Sequence, residues 1–102
     1  MEVLKKTYKT RRGPVEGVQV KWDGFGILLV TGKKAFLTCG VFDLKAIDSF
    51  GGAAAIVEST PDNPIGNLER FPLRKISAVN SRAGELGITV GMDVKEAFEI
   101  IA

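Results

Sequence analysis

The spacing of apolar residues changes period near residue 40, and that change constrains the fold more than any other feature. Before it, Val18, Val20 and Trp22 alternate with Gln19 and Lys21, the period of two that marks a half-buried strand. Asp23-Gly24 is a turn signal, and Ile27-Leu28-Leu29-Val30 reads as a strand apolar on both faces. Thr31-Gly32-Lys33-Lys34 turns the chain again into a strand over 35–39. Upstream, residues 3–10 read as a first strand ended by Arg12-Gly13-Pro14, and their lysines suit a sheet edge, where charge discourages uncontrolled pairing.

After residue 40 the spacing lengthens. Asp43 has the character of an N-cap, and Leu44, Ile47 and Phe50 follow at helical intervals until Gly51-Gly52 stops the helix. Residues 53–57 read as a short buried strand, although their alanines also suit a helix. As a strand, the segment runs parallel to 35–39 through a right-handed crossover. Residues 58–72 hold Pro61, Pro64, Gly66 and Pro72, so they form a loop whose length points to a functional or covering role. Ile76, Val79, Ala83 and Leu86 fall at spacings of 3, 4 and 3, which predicts one helix face. Gly87 and Ile88 fit a Schellman ending for that helix. In the last helix Asp93 and Glu96 resemble a capping box, Met92 is placed to staple onto Ala97, and Val94, Ala97, Phe98 and Ile101 form the buried stripe.

The expected fold class is therefore α+β: an N-terminal antiparallel β-meander, one strand-helix-strand crossover, and two C-terminal helices packed on the sheet. At 102 residues it is expected to be one domain, with a β region over 1–40 and a mixed α/β region over 41–102. A chain this small exposes much of its surface, and Trp22, Phe25 and the doubly apolar strand after them need cover. Self-association through the β region follows, with identical copies as partners.

Composition decides what chemistry is open. The chain has no histidine, so neither it nor any homo-oligomer of it can run Ser-His-Asp or Cys-His catalysis. With a single cysteine, Cys39, it can form no internal disulfide and no thiolate-rich zinc site. No metal and no cofactor are expected. No apolar run approaches the ~20 residues that span a bilayer, and Met1 to Lys6 lack the apolar core of a signal peptide. A soluble protein of the cytoplasm, with no membrane partner, is the expectation. The net charge of +2 makes no case for nucleic acid, yet Lys5, Lys6, Lys9, Arg11 and Arg12 crowd the start of the chain.

Parallel strands over 35–39 and 53–57 would end at the same sheet edge, where open α/β sheets gather ligands. Thr38-Cys39-Gly40 would then lie beside Ser59-Thr60-Pro61-Asp62, which makes Cys39, Thr60 and Asp62 the candidate ligand-binding residues. Their polar character points to an uncharged or cationic small molecule. Cys39 sits before a helix start, a place that favours a thiolate nucleophile, but cysteine also packs as a small buried apolar group. Thr60 and Asp62 offer a hydroxyl and a carboxylate, and such side chains also organise turns.

Several of these residues recur together: Cys39-Gly40 with Asp43, Thr60-x-Asp62, Pro72-Leu73, Ala83-x-x-Leu86-Gly87-Ile88-x-x-Gly91-Met92, and Glu96-Ala97. Over about residues 15–102 the chain resembles the YunC-like bacterial and archaeal family of unknown function. Its loop around 61–70 is longer than that pattern. The resemblance implies an α+β domain with no established activity, whose N-terminal β region mediates tetramerisation. The leading reading is a homo-oligomeric α+β domain that binds a small polar ligand. The alternative is an enzyme that uses Cys39 with Thr60 or Asp62. Third comes a nucleic-acid-binding module built on the basic N-terminal segment, with Tyr8 for stacking and no recognised motif beside it.

Overall fold

The computed structural model describes residues 1–102. The expected meander comprises β1 (Glu2–Thr10), β2 (Gly13–Trp22), β3 (Phe25–Thr31) and β4 (Phe36–Thr38). Then come α1 (Leu44–Ser49), β5 (Ala54–Val57), a 3₁₀ turn (Phe71–Leu73), β6 (Ile76–Val79), α2 (Ser81–Glu85) and α3 (Val94–Ile101). The six strands form one sheet in chain order, with every neighbour antiparallel except β4 and β5. That parallel pair has the register Phe36↔Ala54, Leu37↔Ala55 and Thr38↔Ile56. The fold is α+β, and no helix is long and apolar enough to cross a membrane.

Local chemistry explains most borders. Gly24 takes a φ of 91° in the turn that brings Trp22 opposite Phe25, a region where side chains are rare. Asp43 caps α1 by accepting the N–H groups of Lys45 at 3.0 Å and Ala46 at 3.3 Å. The Schellman ending is present at Gly87, where Ile88 N–H reaches the Ala83 carbonyl at 3.1 Å and Gly87 N–H reaches Gly84 at 3.0 Å.

Four expectations need correction. Residues 76–86 are not one helix: Ile76 to Val79 pair antiparallel with β5 as the sixth strand, and only α2 is helical. The far side of β5 needed a hydrogen-bonding neighbour, and tertiary pairing overrode a 3-4-3 spacing that both structures satisfy. Asp93 makes no side-chain cap, because it pairs with Lys75 at 3.3 Å while the Val94 N–H bonds to the Arg74 carbonyl at 3.0 Å. Phe50 lies past the end of α1 and is 91% exposed, leaving Leu44 and Ile47 half-buried on that helix.

The fourth concerns which face of β2 is inside. Val15, Gly17 and Gln19 are buried, whereas Val18 and Val20 are half-buried and Trp22 is exposed. Gly17 is the reason this face accepts cover: a Cβ there would lie 2.9 Å from Tyr8 and 3.0 Å from Leu68. Leu28, Val30, Leu37, Ala55 and Val57 continue the inner face across the sheet. Ile65, Leu68 and Phe71 of the long connection and Val94, Phe98 and Ile101 of α3 complete that core. The long connection is thus a covering segment, with Phe71 stacked on Phe98 at 6.3 Å.

A cleft at the shared end of the parallel strands

Because β4 and β5 run the same way, the segments that follow them emerge at one sheet edge. There they border a cleft of about 620 Å³. Cys39, Gly40 and Val41 line it from the segment after β4, and Ser59, Thr60 and Pro61 from the segment after β5. Leu28 and Gln19 line it from the meander, Trp22 and Phe25 from the hairpin end, and Ile65 from the long connection. The sheet thus brings Cys39 and Thr60 to one site, as their placement after parallel strands predicts. Asp62 is exposed and does not line the cleft.

Both segments are held by hydrogen bonds. The Cys39 N–H extends the ladder to the Leu28 carbonyl at 3.0 Å, and the buried Thr38 hydroxyl donates to the Cys39 carbonyl at 2.7 Å. Cys39 itself is a free thiol, 9% exposed. After β5, the Ser59 hydroxyl oxygen accepts the Ile65 N–H at 3.1 Å, and that of Thr60 accepts the Asn63 N–H at 3.1 Å. Thr60 therefore organises its turn and still has a hydroxyl proton to donate. Behind this turn the Arg74 guanidinium donates to the Glu58 carbonyl at 3.1 Å and to that of Asn63 at 2.6 Å.

Gln19 is the side chain that reading the sequence missed. It is 6% exposed, and its Nε2 donates to the Gly66 carbonyl at 3.1 Å while its Oε1 has no hydrogen-bond partner in the protein. An amide between Val18 and Val20 looks solvent-facing by alternation, and only the choice of inner face turns it inward. Lys21, the next residue on that face, is the one charged group lining the cleft. It is loosely paired with Glu2 at 3.9 Å. No cluster of three or more cysteine, aspartate and glutamate side chains is placed to hold a metal ion.

The basic N-terminal strand is tied into the fold. Tyr8 packs its ring 4.8 Å from that of Phe98, donates its hydroxyl to the Leu68 carbonyl, and has Lys6 5.8 Å from its ring centre. Burial, with the nearby Glu69 charge, pushes the Tyr8 phenol up to about 12. The Arg11 N–H meets the Glu99 carboxylate at 3.0 Å, so the basic segment contacts the acidic C-terminal helix within one chain.

A sequence model for a family described as a domain of unknown function (DUF1805) matches residues 38–101. The match includes both of these segments and excludes Gln19 and Lys21. A crystal structure of a protein of unknown function from Thermoplasma acidophilum is similar with a TM-score of 0.84 and 14% identity, covering 99% of this chain and 94% of that one. At that identity the likeness establishes the fold. No curated protein matches the chain.

Proposed function

The chain belongs to the DUF1805 family, and we propose that it binds a small molecule in the cleft between the ends of β4 and β5. The observation that carries this reading is the convergence of Cys39 and Thr60 on a cleft of about 620 Å³, beside a Gln19 amide whose oxygen accepts no hydrogen bond from the protein. A ligand donor that reaches this oxygen adds a hydrogen bond worth a net of about 0.5–1.5 kcal/mol. Gly40 has no Cβ and nothing within 4 Å of where one would lie, so a ligand can approach the main chain there. Trp22, Phe25, Leu28 and Ile65 give the cavity an apolar body, the usual make-up of a small-molecule site with few polar groups.

Cys39 serves as wall rather than nucleophile in this reading, since a chain without histidine supplies no imidazole to activate it. The protein is a YunC-like homo-oligomer of the cytoplasm, where a lone free thiol stays reduced. Val3, Val18, Val20 and Leu29 share the outer face of the meander by strand register, and Val3 is 53% exposed. That face is the surface through which identical copies associate, as a tetramer by the resemblance to the YunC-like family.

A thermal-shift screen over a metabolite library, followed by amide NMR, tests the site. At least one compound is expected to raise the melting temperature and to shift the resonances of Gly40, Thr60 and Gly66. Failure of every compound, or shifts confined to another surface, refutes it. Light scattering that gives a monomer at micromolar concentration refutes the assembly.

A further inference from the structure

Resting on the reading of the cleft as a ligand site, we infer that its ligand is an anion: a small planar ring with a carboxylate at one end and an N–H or O–H donor at the other. The sign follows from what lines the cavity. Of its 15 lining residues only Lys21 carries a charge, while Asp62, the carboxylate that favoured a cationic ligand, stays outside. Lys21 is available, because its contact with Glu2 is 3.9 Å long and both side chains are more than half exposed. Such a pair is worth little, so a ligand carboxylate replaces Glu2 at small cost. Of the two hollows that share Lys21 with the cleft, one adds Lys5, Lys6 and Glu69 and the other Glu2 and Asp23, so the sign rests on Lys21 as the one charge lining the cleft itself.

The donor follows from Gln19. Its Oε1 accepts nothing from the protein, and Gln19 stands two residues from Lys21 on the same strand face, about 6.6 Å along the backbone. The ring follows from the lining, which includes Leu28, Ile65 and, at the hairpin end, Trp22 and Phe25 with ring centres 6.0 Å apart. Aromatic wall, a cation and a free acceptor in one cleft together suit a ring that bears an acid and a donor.

Indole-3-acetate, indole-3-acetamide and tryptamine differ at one end only, as anion, neutral and cation. Titrated into labelled protein and followed by NMR, the acetate is expected to perturb the Gln19 side-chain amide and the Trp22 indole N–H. It is expected to bind about fivefold tighter than the other two, the upper range for an exposed ion pair, with the advantage fading as salt rises. Lys21→Gln, at an exposed position and checked for an unchanged spectrum, is expected to abolish the preference. Naphthalene-1-acetate, which has no N–H, is expected to bind more weakly than indole-3-acetate. Equal binding of the three, tighter binding of tryptamine, or a preference that survives Lys21→Gln overturns the anion assignment while leaving the cleft a ligand site. No perturbation by any of them at millimolar concentration also overturns it. The library screen then judges the cleft separately.

Discussion

Asn80 ties together the elements that position the cleft, and replacing it isolates what that tie contributes. The side chain is 5% exposed and makes three hydrogen bonds. Its Oδ1 accepts the Ala83 N–H at 3.0 Å, capping α2, and the Ala54 N–H at 3.2 Å, holding the start of β5. Its Nδ2 donates to the Gly52 carbonyl at 2.9 Å. In Asn80→Ala the lost cap costs about 1 kcal/mol. Ala54 is fully buried, so its stranded N–H adds about 2 kcal/mol. Gly52 is only half-buried, and water takes over its carbonyl. The sum is about 3 kcal/mol, a large share of the 5–15 kcal/mol typical of a domain. At about 4–8 °C per kcal/mol for a domain near this size, the melting temperature should fall by roughly 12–24 °C. Asn80→Ser keeps a hydroxyl that can cap α2 but does not reach β5, so it should cost about 2 kcal/mol. Urea unfolding followed by circular dichroism measures both, with the midpoint moving and the slope constant. An Asn80→Ala variant within about 0.5 kcal/mol of the parent protein, the range of ordinary surface changes, would refute this account. So would full stability in Asn80→Ser, because the bond to Ala54 would then contribute nothing.

Two further outcomes test the packing of the inner face. Tyr8 is the only tyrosine, so phenolate absorbance reports it alone, and its midpoint is expected at about 12 rather than the ordinary 10.0. Since the folded value is the higher, the neutral phenol's contribution is complete below pH 10 and is lost as pH rises from 10 to about 12; a midpoint near 10 in folded protein rules this out. A Cβ at Gly32 would lie 2.2 Å from the Ile101 carbonyl oxygen, whereas nothing lies within 4 Å of one at Gly84 on α2. Gly32→Ala should therefore cost about 3 kcal/mol or more, and Gly84→Ala should be neutral or stabilising by up to about 1 kcal/mol. Thermal denaturation that ranks the two variants the other way contradicts the packing.

Short-range chemistry made part of this molecule legible in the sequence. Asp23-Gly24, Asp43 and Gly87-Ile88 each act through main-chain groups a few residues away, so their neighbours suffice to identify the turn, the cap and the Schellman ending. The strand-helix-strand order likewise sufficed to bring Cys39 and Thr60 to one edge, because parallel strands leave no other arrangement for the segments after them. Alternation along β2 announced a strand with two faces, yet it could not say which face meets the core. Val18 and Val20 made one face look inward, and Gly17, a gap for Tyr8 and Leu68 to fill, decided for the other. That choice turned Gln19 and Lys21 toward the cleft. It rests on contacts between residues far apart in the chain, whose energies no local window contains. Residues 76–79 show the same division: their spacing suits helix and strand alike, and only the unpaired edge of β5 selected the strand.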